Sequence, residues 1–208
     1  MIRIQRPFVA ASFALAAGIC FPQEPPPQNV TDGSATFGVT VVDSSGLQGQ
    51  IYLLSKESSW LPNFKHLKPA GAIYTTRLNI PQREFTQGFP GVTDRFEWFA
   101  IDYTGKFWIE NPGKYQFGLL SDDGSRLYID NTTLIDNDGI HPPLTMVETV
   151  KLARGIHTIR VSYFQGPRAM LALILSVAYP GEEKFRIFDT RDFRPPAGRI
   201  AEIEKKAK

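Results

Sequence analysis

The sequence predicts an all-β protein, an antiparallel β-sandwich or barrel, on three observations. Apolar and polar residues alternate over several short segments, the period of a strand with one buried face. Gly, Pro, Asn and Asp separate those segments at short intervals, as turns require. One segment, Ala169 to Val177, is apolar on both faces and suits a central strand covered on both sides.

Taken in chain order, the first elements are the least regular. Pro62, Pro69, Pro81 and Pro90 break the stretch from Ser55 to Gly91, leaving strands near Gln50–Leu54 and Ala72–Leu78 with long loops around them. The aromatic run Phe96 to Tyr103, with Phe107-Trp108-Ile109, reads either as core or as a recognition surface. Arg83, Phe85 and Phe89, in a Gly/Pro-bounded loop, are candidates for exposed contacts. Farther on, Tyr115, Phe117 and Leu119 share one strand face, as do Leu127 and Ile129 on the next. His157, Ile159, Val161 and Tyr163 fall opposite Thr158, Arg160 and Ser162. Asn111-Pro112-Gly113, Asp123-Gly124 and Asp138-Gly139 read as turns with glycine at a positive φ, and Arg154-Gly155 as a tight connection.

Four segments are expected. Residues 1–21 read as a signal peptide: Arg3 and Arg6 precede an apolar run from Phe8 to Phe21 that is too short to span a bilayer. Cleavage at Ala16-Ala17-Gly18 competes with lipidation at Cys20, the only cysteine, where Ile19 departs from the small residue a lipid signal wants. A lone cysteine excludes an intramolecular disulfide. Residues 22–36, with Pro25-Pro26-Pro27, form a linker; 37–190 the sandwich; 191–208 a charged extension, in which Ile200 and Ile203 could line a short helix. The expected location is secreted, periplasmic or at the cell surface, with no transmembrane segment after cleavage. Without Arg3 and Arg6, the 23 cationic side chains fall to the number of carboxylates, 21, so nothing points to nucleic acid as a partner.

The chemistry concentrates between Gly113 and His141. Asp122 and Asp123 stand together where a strand ends, and Asp136-Asn137-Asp138-Gly139 follows the next one. Asp and Asn oxygens are the ligands that calcium takes, six to eight at a time. Asp122, Asp123, Asn137 and Asp138 are therefore the candidate ligand-binding residues. Neighbouring strand residues point to opposite faces, so one ion reaches both aspartates only if the backbone kinks between them, as a cis peptide would make it do. The other reading is a turn in which Asp123 caps backbone donors ahead of Gly124.

The same residues carry a family resemblance. Gly113, Tyr115 and Phe117, the run Ser121 to Asp130, and Ile135 to Asn137 resemble the core of the protective-antigen-type (PA fourteen) domain. Gly155 to Phe164, Gly166 and Leu171-Ala172-Leu173 are similar to its closing strands, and Gly46-Leu47-Gln48-Gly49-Gln50 to its opening one. The resemblance implies a lectin-like β-sandwich of the kind found in adhesins, flocculins, bacterial glycosidases and toxins. It implies calcium held by Asp122 and Asp123, with Gln165 as an amide ligand from the closing loop, and a glycan or cell-surface polysaccharide as partner.

Catalysis is not expected. Adjacent carboxylates do not straddle a scissile bond as a glycosidase pair does, and HExxH, phosphate-loop and nucleophile-elbow patterns do not occur. His66, His141 and His157 read as structural or exposed. The alternative function is a structural or protein-binding module of the cell envelope, with an envelope protein as partner. Asn29-Val30-Thr31 and Asn131-Thr132-Thr133 match a glycosylation sequon.

Overall fold

The computed structural model describes residues 46–92, 95–167 and 170–196. The signal, the linker and the Ile200–Ile203 segment lie outside the described residues. In chain order the strands are β1 (Leu47–Leu53), β2 (Gly71–Thr75), β3 (Asn79–Glu84), β4 (Phe99–Ile109), β5 (Gly113–Asp122), β6 (Ser125–Ile129), β7 (Thr132–Asn137), β8 (Leu144–Leu152), β9 (Gly155–Gln165), β10 (Met170–Ala178) and β11 (Arg186–Ile187). One six-stranded sheet has the order β2-β1-β4-β9-β6-β7, and a second the order β11-β10-β5-β8, with β3 also on β10. All the pairings are antiparallel. The protein is an all-β sandwich.

The alternating segments explain why the sheets face each other. Tyr115, Phe117 and Leu119 of β5 meet Ile159, Val161 and Tyr163 of β9 in one core, all of them 2% exposed or less. The aromatic run of β4 belongs to that core: Phe99, Tyr103 and Phe107 are buried, and only Phe96, before the strand, is half exposed. Phe89 is buried too, at 2%, stacked on Tyr163 with ring centroids 5.1 Å apart, so it is a core residue and not the exposed contact its loop suggested. A long loop lets a large apolar side chain fold back, and burial outweighs the local turn pattern. Phe193, which the sequence placed in the charged extension, stacks on Phe188 at 4.8 Å and is 5% exposed.

The strands before Phe99 differ in detail from the sequence reading. The first begins at Leu47, and the second ends at Thr75, after which Leu78 turns into the core at 1% exposure. Pro81 does not end its strand: it lies in β3 where the register with β10 shifts, so its missing N–H breaks no regular ladder. The outer face of the six-stranded sheet has a covering of its own. Tyr52, Leu54, Ala100 and Phe164 form a second buried cluster under Leu61, Phe64 and Leu67 of the β1–β2 loop.

Candidate functional site

Asp122 ends β5 and Ser125 begins β6, but these two strands do not pair, because β5 belongs to one sheet and β6 to the other. The Asp-Asp-Gly link is therefore not a hairpin; it carries the chain from sheet to sheet. The same holds for residues 138–143, between β7 and β8, and for the connection from β9 to β10. The true hairpin is β6–β7, turned at Asp130 and Asn131 with φ of 49° and 64°. Only the sheet assignment, a long-range property, tells a crossing from a hairpin.

Contacts bring the three crossings together on Asp123. Its Oδ2 accepts from the Gly166 N–H at 2.8 Å and its Oδ1 from the His141 N–H at 3.3 Å. The peptide between Asp122 and Asp123 is cis. Both residues are buried, at 6% and 3% exposure. Gly124 lets the crossing close: an added Cβ would lie 2.3 Å from Phe164 Cε1 and 2.8 Å from the Gly139 nitrogen. Of the three glycines expected at positive φ, only Gly139 has one, at 117°; Gly113 and Gly124 are required for space, Gly113 against Pro180.

Electrostatics set the pair apart. Burial, and then the neighbouring charge of Asp123, push the Asp122 carboxyl up to about 7, with His141 pulling the other way. Asp123 is also raised by burial, against the opposing backbone hydrogen bonds. The folded protein thus holds the Asp122 proton more tightly than the unfolded chain does. Stability is greatest below the ordinary value of 3.8 and falls as the pH rises from about 4 to about 7. In chelator, the melting temperature is expected to drop between about pH 4 and about pH 7. Asp122→Asn should shrink that drop; an unchanged profile in the variant would assign it to another group.

The other predicted ligands take different parts. Gln165 is fully buried; its Oε1 lies 2.6 Å from the Tyr163 hydroxyl and its Nε2 donates to the Met170 carbonyl at 3.0 Å. Its oxygen is thus engaged inside the protein, and the group facing Asp123 Oδ2, at 3.5 Å, is the amide nitrogen. In this arrangement Gln165 braces the crossing from inside. Asp138 is committed as well: Oδ1 accepts from the Leu61 N–H at 2.8 Å, and Oδ2 pairs with Arg126 at 3.1 Å. It ties the β1–β2 loop down. Asn137 is 4% exposed and braces the corner from beneath, its Nδ2 donating to Ser121 Oγ at 3.0 Å and to the Leu144 carbonyl at 3.2 Å. Among the described residues, no group of three or more His, Cys, Asp or Glu side chains could hold a metal ion.

Trp60 was missed by the sequence reading. It is 65% exposed, and its ring lies 3.4 Å from where a Gly139 Cβ would stand, beside the crossing that contacts Asp123. The signal was a lone tryptophan in the polar loop Ser58-Ser59-Trp60. His141 keeps a structural part, with Nδ1 2.8 Å from the Pro142 carbonyl and Nε2 3.0 Å from that of Asn137.

Fold and site together define a class: two-sheet β-sandwiches with an acidic pair where inter-sheet crossings converge at one end. The PA14 domain profile matches residues 73–191, more than half of the chain, and the protein belongs to the PA14 domain family. Three solved structures are similar. The PA14 domain of the MpAFP antifreeze protein is 16% identical with a TM-score of 0.59, over 71% of this chain and 88% of that one. The PA14 sugar-binding domain from an RTX adhesin is 17% identical at 0.57, over 70% and 96%. The Epithelial Adhesin 9 A domain of Candida glabrata, in complex with Galb1-3GlcNAc, is 14% identical at 0.52, over 71% and 87%. At these identities the likeness is one of fold. A comparison with curated protein sequences gave no match.

Proposed function

We propose that the protein is an exported, non-catalytic module that binds glycans through a calcium ion held by Asp122 and Asp123. The observation that carries this reading is the Asp122 carboxylate. It is 6% exposed, stands beside a second carboxylate, and no side-chain hydrogen bond engages its oxygens among the described residues, while His141 acts on it only from a distance. Two adjoining buried carboxylates are costly to ionise together, and a cation between them relieves that cost. Their oxygens suit calcium in kind and are too few to fill its six to eight positions, which leaves room for neutral oxygens from outside. Calcium bound there would supply a hard cation able to accept vicinal sugar hydroxyls.

The protein's own residues do the positioning. Gly166 and His141 hold the Asp123 carboxylate by their N–H groups, and the buried Gln165 sets the loop that carries Gly166. Trp60 offers an open aromatic face beside Gly139, in the crossing that also contacts Asp123, suited to the apolar face of a pyranose. The adhesin domains named above support the reading as sugar binders built on this fold. Among the described residues no helix is long and apolar enough to cross a membrane, and export rests on the N-terminal signal pattern.

Calcium titration by calorimetry, with thermal melting alongside, tests the ion. Saturable binding with a raised melting temperature is expected, and no binding at millimolar calcium would defeat the reading. Trp60→Ala is expected to weaken glycan retention by about threefold to tenfold and to leave calcium affinity unchanged. A second reading, a protein-binding module, draws on Leu144, Met146 and Val147, which stand exposed on the edge strand β8.

A further inference from the structure

A pocket of about 200 Å³ opens between the β1–β2 loop and the outer face of β6 and β9. Its lining includes Phe64, Lys65, Arg126, Tyr128, Arg160 and Ser162, and no carboxylate lies in its wall. Arg160 is held in one orientation. Its Nε donates to Asp102 Oδ1 at 2.7 Å, and Ser162 Oγ donates to the same oxygen at 2.8 Å. The guanidinium carbon sits 5.0 Å from the Tyr128 ring centroid and 5.6 Å from that of Phe64. Among the described residues neither terminal nitrogen of Arg160 is used, and the side chain is 39% exposed. An arginine gripped at Nε and flanked by two rings presents a fixed pair of N–H donors, the geometry that a planar carboxylate accepts.

The surrounding charges sharpen the preference. Arg126 bonds Asp136 at 2.9 Å and Asp138 at 3.1 Å, and Lys65 is an exposed cation at the rim. The carboxylates that balance the arginines lie behind or outside the cavity: Asp102 and Asp138 are 13% and 6% exposed, and Asp136 projects to solvent. A visiting anion therefore meets donors and aromatic faces, with the acidic groups set back. A cavity of about 200 Å³ has room for one sugar ring. Arg126 follows Asp123 by three residues, a separation of at most about 10 Å, so the pocket neighbours the acidic pair.

We infer that this pocket is a subsite for an acidic sugar, a uronate whose carboxylate docks on Arg160 while its ring lies along Tyr128 and Phe64. That the ligand is a sugar rests on the glycan reading above; the anion site itself does not require calcium. The test is calorimetry of the full chain with D-glucuronate, D-glucose and inorganic sulfate, each in chelator and again in calcium. Saturable glucuronate binding in chelator is expected, with glucose and sulfate much weaker. Arg160→Gln and Lys65→Glu should each weaken it by about tenfold, and the exposed Lys65 keeps the test valid if the arginine variant misfolds. Sulfate binding as tight as glucuronate would overturn the sugar assignment. No glucuronate binding in either condition would overturn the site. Loss of calcium binding alone would sink the acidic-pair reading and leave the pocket standing.

Discussion

Replacing Asp123 with alanine is expected to abolish calcium-dependent glycan retention and to lower the melting temperature even without calcium. The first effect removes one of the two carboxylates at the corner. The second follows from what that carboxylate does in the fold, since it accepts from the Gly166 N–H at 2.8 Å and the His141 N–H at 3.3 Å. Alanine leaves the buried Gly166 donor without that acceptor, at about 1–3 kcal/mol, and the partly buried His141 donor at less. Retention on immobilised glycan with and without calcium, beside a calorimetric melt, separates the two effects. Retention unchanged in the variant would place glycan recognition elsewhere on the molecule. Stability unchanged would mean that water replaces the carboxylate and that the crossings do not depend on it.

Gly124→Ala is expected to be more damaging to the fold. The new methyl would stand 2.3 Å from Phe164 Cε1 and 2.8 Å from the Gly139 nitrogen. Phe164 is fully buried in the cluster under the β1–β2 loop, and Gly139 contributes backbone, so neither neighbour yields cheaply. Overpacking of this kind costs about 3 kcal/mol, which for a domain of this size lowers the melting temperature by roughly 6–12 °C. Because the methyl forces apart the crossings that meet at Asp123, calcium affinity should fall with it. A melting temperature within about a degree of wild type would show that the corner relaxes around the methyl and that the close approach is dispensable.

Much of the sandwich was legible because strand burial is a local pattern. Tyr115-Phe117-Leu119 and Ile159-Val161-Tyr163 alternate in the chain as they do in space, and Met170–Ala178, apolar on both faces, lies between β5 on one side and β3 and β11 on the other. Such patterns follow from backbone geometry alone. Phe89 and Phe193 were misread for the complementary reason. Their neighbours in sequence are loop residues, and their burial depends on Tyr163 and Phe188, far away or beyond a bend in the chain.

The candidate site divides in the same way. The sequence by itself determined where the acidic oxygens are, because Asp122, Asp123, Asn137 and Asp138 are consecutive or nearly so in two short segments. It could not decide which of them keep their oxygens for a ligand. That depends on partners from distant strands: Arg126 and Leu61 take Asp138, Ser121 and Leu144 take the Asn137 amide, and Tyr163 engages the Gln165 oxygen. No side-chain hydrogen bond engages the Asp122 carboxylate among the described residues, and it stands buried beside Asp123 where the three inter-sheet crossings meet. Composition and spacing determine which groups are present; long-range contacts determine which of them are tied up inside the fold, because hydrogen-bond partners come from strands far apart in sequence.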